Sequence, residues 1–284
     1  MGFASLLVFD IETIPDVDAC RNLMGFDPED RISGQEVLEN YHLEITDGRN
    51  PFLRQLFHKV VAISFVEADI SSDGDYQHFT LKEVRSGGEL GYSEQELLRG
   101  FFAFFARRQP RLVSFNGRTF DLPVLKYRAM VHGISCKYLY SSGDKWNNYL
   151  NRYSADWHCD LLEALSDFGA SASVRLSEVC AVFGLPGKVG TVGADVARLF
   201  NEGQVERIRN YCETDVLNTY LIYLRMMHHQ GKIKLSGYNK AIEDLLMYLS
   251  KEGKQREHLL EFYNAWEEAC SGDFFIKQGP SDEE

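Results

Sequence analysis

Asp10 and Glu12 stand two residues apart at the end of an apolar run, residues 5–9. Strand side chains alternate between faces, so both carboxylates leave the same face, at the spacing a shared cation needs. Hard divalent cations such as Mg²⁺ take oxygen ligands and are often held by only a few carboxylates, with water completing the shell. The pair alone also reads as a solvated strand end. Asp121 lies between a strand pattern and a helix pattern, where an Asp by itself is first of all an N-cap. Tyr211 and Asp215 are four residues apart in a long helical stretch and share a face, with Leu217, Tyr220, Leu221 and Leu224 as the packing stripe. Asp is a poor residue for a helix interior, which singles out position 215.

Around these residues the hydrophobic pattern predicts strands at 5–9, 59–67, 76–84 and 111–115, and a fifth at 136–140. Ser93 and Glu96 form a capping box that opens a helix over 94–108, stopped by Gln109-Pro110. Further helices are expected at 122–132, 160–168, 176–183, 194–200 and 205–229, with Asp160 and Asp195 as caps. Three strands, helix, strand, helix, strand and then helices is the order of an α/β, ribonuclease H-like domain, a mixed sheet of about five strands flanked by helices. That domain is expected over 1–235. Residues 16–58 are too long for a simple connection and read as an insertion with helix of its own. Residues 236–284 read as a C-terminal helical extension, two helices split around Gly253, with an acidic tail at 281–284.

Three ordered motifs say more than their parts. Phe9-Asp10-Ile11-Glu12-Thr13, Asn116 to Phe120-Asp121, and Tyr211 to Asp215 resemble the three exonuclease motifs of the DEDD superfamily. Tyr211 stands where other branches carry His, as in the DEDDy branch. More narrowly, residues 7–15, 114–123 and 211–220 are similar to stand-alone predicted exonucleases related to the proofreading domain of family B DNA polymerases. That resemblance covers most of 6–225, including Leu185-Pro186-Gly187-Lys188.

The resemblance implies a metal-dependent 3′–5′ exonuclease acting on single-stranded nucleic acid 3′ ends, DNA before RNA, with two divalent cations, Mg²⁺ or Mn²⁺. Asp10 would bridge the ions, Glu12 and Asp215 would complete the one that holds the attacking water, and Asp121 would serve the other through water. Tyr211, a phenol with an ordinary pKa near 10, suits orienting that water better than deprotonating it. Thr13 is expected at the terminal 3′-hydroxyl, Asn116 among the substrate contacts, and Ile14 and Phe120 either against terminal bases or in the core. Lys188 and Arg118 are candidates for phosphate contact, with surface charge as the simpler role. Four converging carboxylates should repel one another, so some should have raised pKa values until metal binds. An RNA 3′-end nuclease using the same site and a non-catalytic nucleic-acid-binding module are the alternatives.

Bulk composition narrows the partners. The 284 residues are 44% hydrophobic and 13% aromatic, enough for a sizeable core. A net charge of −12 argues against adhesion to nucleic acid through a broad basic surface, though not against contact through bound cations. The six cysteines show no zinc spacing, and no apolar stretch approaches the roughly 20 residues of a membrane span. A reduced, cytoplasmic chain without membrane contact is expected. About 50 C-terminal residues, 236–284, are too few for a polymerase, so the nuclease is expected to work without one in the same chain. Gly184-Leu185-Pro186-Gly187-Lys188-Val189 does not satisfy a phosphate-binding P-loop.

Overall fold

Strand β1 (Ser5–Pro15) runs through the middle of the molecule, and its apolar residues are buried on both faces. The computed structural model describes residues 2–277 apart from 28, 51 and 190–192, so the acidic tail lies outside the described residues. After β1 come α1 (Val17–Met24), α2 (Gly34–Thr46), β2 (His58–Asp73), β3 (Tyr76–Ser86), α3 (Glu94–Arg108), β4 (Arg111–Ser114), α4 (Asp121–Val131) and α5 (Lys137–Ser141). Then follow β5 (His158–Asp160), α6 (Leu161–Leu165), α7 (Leu176–Phe183), α8 (Val196–Asn201), α9 (Val205–His229), α10 (Leu235–Glu252) and α11 (Glu257–Ala269).

The strands lie in the order β3-β2-β1-β4-β5, the ribonuclease H-like arrangement expected. β1, β2 and β3 form an antiparallel meander, whereas β4 runs parallel to β1 and β5 parallel to β4. Alternation along β1 divides the core in two. Leu6 and Val8 face α9 with Val66 and Val113, while Leu7, Phe9 and Ile11 face α3 and α4 with Leu98, Phe101, Leu122 and Leu125. α3 begins with the expected capping box, Ser93 N–H donating to the Glu96 carboxylate at 2.8 Å.

Three local expectations fail, the first being the helix over 160–168, which ends at Leu165 because Asp167 and Phe168 take positive φ. The fifth strand is not at 136–140, which forms the single-turn helix α5 with Leu139 buried against α3; it is His158–Asp160. Five residues carry too little periodicity to separate a strand from one helical turn, and three residues carry almost none. What seats β5 is its pairing with β4, Leu112 opposite His158 and Ser114 opposite Asp160. Asp195 stands at the head of α8 but makes no capping bond; its carboxylate pairs with Arg198 at 3.1 Å. Asp160 does cap α6, accepting from Leu162 N–H at 3.1 Å.

Residues 16–58 hold a small core of their own, Cys20, Val37, Tyr41, Leu53 and Phe57. At the other end, Ile242, Leu245 and Leu249 of α10 and Leu259, Phe262 and Trp266 of α11 belong to the same core as Leu6, Val8 and the buried side of α9. α9 is buried without interruption from Tyr211 to Leu224, as expected of a helix with a sheet on one side and helices on the other. No helix among the described residues is long and apolar enough to cross a membrane. Because α11 closes the main core, Trp266→Ala is expected to cost about 3–5 kcal/mol of unfolding free energy, read by urea denaturation. A loss within about 0.5 kcal/mol, typical of surface substitutions, would place α11 outside the cooperative unit.

Candidate active site

The five motif residues arrive from three elements. Asp10 and Glu12 leave β1 on the face that carries Leu6 and Val8, so both rise toward α9. A register shift against β2 follows immediately, between Glu12 and Thr13, and turns the strand after its second carboxylate. Asp121 is the first residue of α4 rather than its cap; its Oδ1 accepts the Ile11 backbone N–H at 3.1 Å, between the two β1 acids. Tyr211 and Asp215 come down from α9, one turn apart and both buried. Asp215 Oδ1 has no hydrogen-bond partner among the described residues. A buried, unpaired carboxylate oxygen is costly and is a group that a bound cation would satisfy.

Burial raises every acid of the cluster. Asp10 is held well above the ordinary carboxylate range, by burial first and then by the charges of Asp121, Glu12 and Asp215. Glu12 is raised by burial and then by Asp215 and Asp121, with Lys188 acting against them. Asp121 rises to about 7 through burial, although its own and Ile11's backbone N–H groups hold it down. Asp215 rises to about 6, again through burial, with Tyr211 and then Lys188 restraining it. The Tyr211 phenol is pushed far above its usual value by burial and by the charges of Asp215, Glu12 and Asp10, so it remains a proton donor near neutral pH.

The loop from β4 to α4 is fixed from below. Asp160 accepts from the backbone N–H of Asn116 at 2.8 Å and of Arg118 at 2.9 Å. Asn116 has a positive φ of 69°, and a Cβ at Gly117 would collide with the Ser114 side chain. The loop therefore has one path, and Asp121 lies at its end. Arg118 is structural rather than a free phosphate contact: it donates to the carbonyls of His158 at 2.7 Å and Tyr149 at 3.3 Å. Thr13 Oγ1 and His58 Nδ1 are 2.9 Å apart. Phe120 is half-buried, edge-on to His58 at 5.0 Å and tilted against Phe52 at 5.5 Å. Ile14 packs on Val61, Ala62, Val196, Leu199 and Ile208, so core packing accounts for it.

Residues outside the motifs complete the surroundings. The Cys212 thiol donates to Asp10, with Sγ 3.5 Å from the backbone oxygen and 3.6 Å from Oδ2. Asp10 lies opposite Ser64 on β2, and Ser64 opposite Ser86 on β3. The two serine hydroxyls are 2.8 Å apart, and Ser86 donates to buried Glu213 at 2.8 Å. His258 Nε2 contacts Glu213 at 2.7 Å, and Arg256 also pairs with it. A polar row thus runs beneath α9 from Asp10 to the C-terminal helices. Cys212 has no zinc spacing to another cysteine, yet its position three residues before Asp215 puts both on one face of α9.

A mixed sheet with clustered carboxylates at the end of its central strand is the architecture of a nuclease-type α/β domain. The chain belongs to the family of predicted 3′–5′ exonucleases related to the exonuclease domain of PolB, whose model matches residues 50–266. Asp121, Tyr211 and Asp215 fall within that match, and Asp10 and Glu12 precede it. No curated protein matches the chain. A solved structure of the family B DNA polymerase from the hyperthermophilic archaeon Pyrobaculum calidifontis is similar, with a TM-score of 0.44 and 17% identity over 91% of this chain and 27% of that one. The chain thus spans about a quarter of that polymerase's length.

The raised acids make a prediction for metal-free protein. A carboxyl whose folded pKa exceeds its unfolded value, ordinarily about 4, stabilises the fold below that value and loses the contribution as pH rises through the folded pKa. With Asp215 at about 6 and Asp121 at about 7, metal-free protein should melt at lower temperature near pH 8 than near pH 5. Asp121→Asn keeps an acceptor for Ile11 N–H and should raise the melting temperature by a few degrees near pH 8 but not near pH 5. Calorimetry across that range checks it; equal gains at both ends would remove the electrostatic cause.

Proposed function

We propose that this protein is a metal-dependent 3′–5′ exonuclease of the DEDDy type that hydrolyses phosphodiester bonds at 3′ ends of single-stranded nucleic acid, DNA in preference to RNA. The observation that carries the reading is the convergence of Asp10, Glu12, Asp121 and Asp215 at one strand end, with no ion pair to any of the four among the described residues and one oxygen there without a hydrogen-bond partner. Four oxygen donors suit hard divalent cations. Two such ions, Mg²⁺ or Mn²⁺, would be held by these four residues and would supply a nucleophile at neutral pH and relieve charge on the leaving 3′-oxygen.

The protein's own groups do the rest. Tyr211 keeps its proton and orients the attacking water by hydrogen bonding beside Asp215, because removing a proton would require a phenolate that burial forbids. Lys188 is exposed and acts on both Glu12 and Asp215, which suits it to a phosphate oxygen once the ions are in place. The backbone at Thr13, turned by the register shift, is assigned to the terminal 3′-hydroxyl, and Asn116 to the substrate strand. Phe120 is the candidate stacking surface, extended by Phe52 from the 16–58 segment.

Single strands of DNA and RNA labelled at either end, incubated with Mg²⁺ or Mn²⁺, test the proposal. Stepwise shortening from the 3′ end is expected, with activity lost by at least about 10³-fold in Asp10→Ala and by about 10–10²-fold in Tyr211→Phe, which removes positioning alone. Shortening from the 5′ end, or an Asp10→Ala variant as active as wild type, would sink it. Faster RNA than DNA degradation would reverse the substrate preference.

A further inference from the structure

Cys212 is a soft donor among the hard oxygens of the site. Its Sγ, an oxygen of Asp10 and an oxygen of Glu12 all lie within 4.8 Å of one another. The Sγ to Asp10 Oδ2 separation is 3.6 Å. Zinc bonds of about 2.3 Å to sulfur and 2.0–2.2 Å to a carboxylate give a tetrahedral S···O edge of about 3.6 Å. The observed pair therefore needs little rearrangement to become two corners of a zinc tetrahedron. Independently, buried Asp215 leaves Oδ1 without a hydrogen-bond partner among the described residues and acts electrostatically on both Asp10 and Glu12, so a further oxygen donor borders the three.

From this juxtaposition we propose that Asp10, Glu12 and Cys212 form a high-affinity site for a thiophilic divalent cation of the Zn²⁺ class, which competes with the ions of the nuclease reaction and blocks it. Hard Mg²⁺ leaves the sulfur as a thiol donating to Asp10, whereas a thiophilic cation takes it as a ligand. The step is a ligand exchange without redox: the S–H bond is replaced by an S–metal bond, and the proton passes to solvent. Because Asp10 and Glu12 are also assigned to the ions of the nuclease reading, a cation held by them and Cys212 excludes those ions. The inhibition rests on that nuclease reading, whereas the cation site itself does not require the exonuclease reaction.

Cd²⁺ is the probe, because its thiolate complexes absorb in the ultraviolet. Metal-free full-length protein titrated with Cd²⁺ should develop a charge-transfer band that Zn²⁺ reverses, with release of one proton per thiol ligated. Cys212→Ser should lose the band and at least tenfold in Cd²⁺ affinity, while its Mn²⁺ affinity, measured by calorimetry, falls severalfold less. Asp10→Asn, which retains the thiol, should weaken the band too and serves if the serine variant does not fold. A band unchanged in both variants, or equal losses of Cd²⁺ and Mn²⁺ affinity in Cys212→Ser, overturns the proposal. A protein that shows the band but no Mg²⁺-dependent shortening of 3′ ends would fail the nuclease reading alone.

Discussion

Like charges held close together in a poorly hydrated place are the constraint around which this molecule is arranged. Burial and mutual repulsion both oppose ionisation of the carboxylates at the end of β1, and Lys188 is the cation that acts on two of them, Glu12 and Asp215. Such a cluster persists only when its residues are positioned by something stronger than their own preferences. Here that is the core: β1 is locked between two apolar layers, and α9 is buried along its middle on every side. The acids are carried to the meeting point by elements that cannot move apart without exposing that core.

Asp16 and Glu213, two other buried acids, take the opposite condition, and the contrast separates structure from site. Burial raises Asp16, but Ala19 N–H, Lys59 and Arg128 outweigh it and leave the group below its ordinary value. Burial likewise raises Glu213, and His258, Arg256 and Ser86 bring it below. Both acids are ionised, paired and engaged in joining segments: Asp16 ties the 16–58 segment to α4, and Glu213 ties α9 to the linker before α11. Among the described residues, Asp10, Glu12, Asp121 and Asp215 have no ion-pair partner within 4 Å, and only Glu12 and Asp215 feel Lys188. Buried acids left raised and uncompensated are a recognised physical mark of functional sites.

The groups that touch the cluster from α9, Tyr211 and Cys212, are polar but uncharged, which limits how much they offset. Tyr211 and Cys212 offer hydrogen bonds from groups that burial keeps protonated, and the Ser64–Ser86 row continues that neutral character across the sheet. Neutral donors orient carboxylates without satisfying their charge. The site therefore keeps its attraction for cations, and the C-terminal helices reach it through Glu213 without placing a charge on it.

Legibility in the sequence follows the range of the interactions concerned. Residues 94–108, 176–183 and 205–229 announce helices through capping, periodicity and length, all local signals, and the alternation of β1 alone puts Asp10 and Glu12 on one face. The three motifs and their order were likewise readable, because strand and helix geometry link residue spacing to direction. The three-residue β5 and the helix at 137–141 were not, since their conformation is set by what lies beside β4 and α3. Tertiary structure alone decided that Asp121 bonds Ile11 instead of capping α4, that Arg118 is consumed by carbonyls, and that Cys212 touches Asp10 across 202 positions of chain. Spacing along a chain encodes the face a side chain leaves from, but the partner it meets is chosen by how separately formed elements pack.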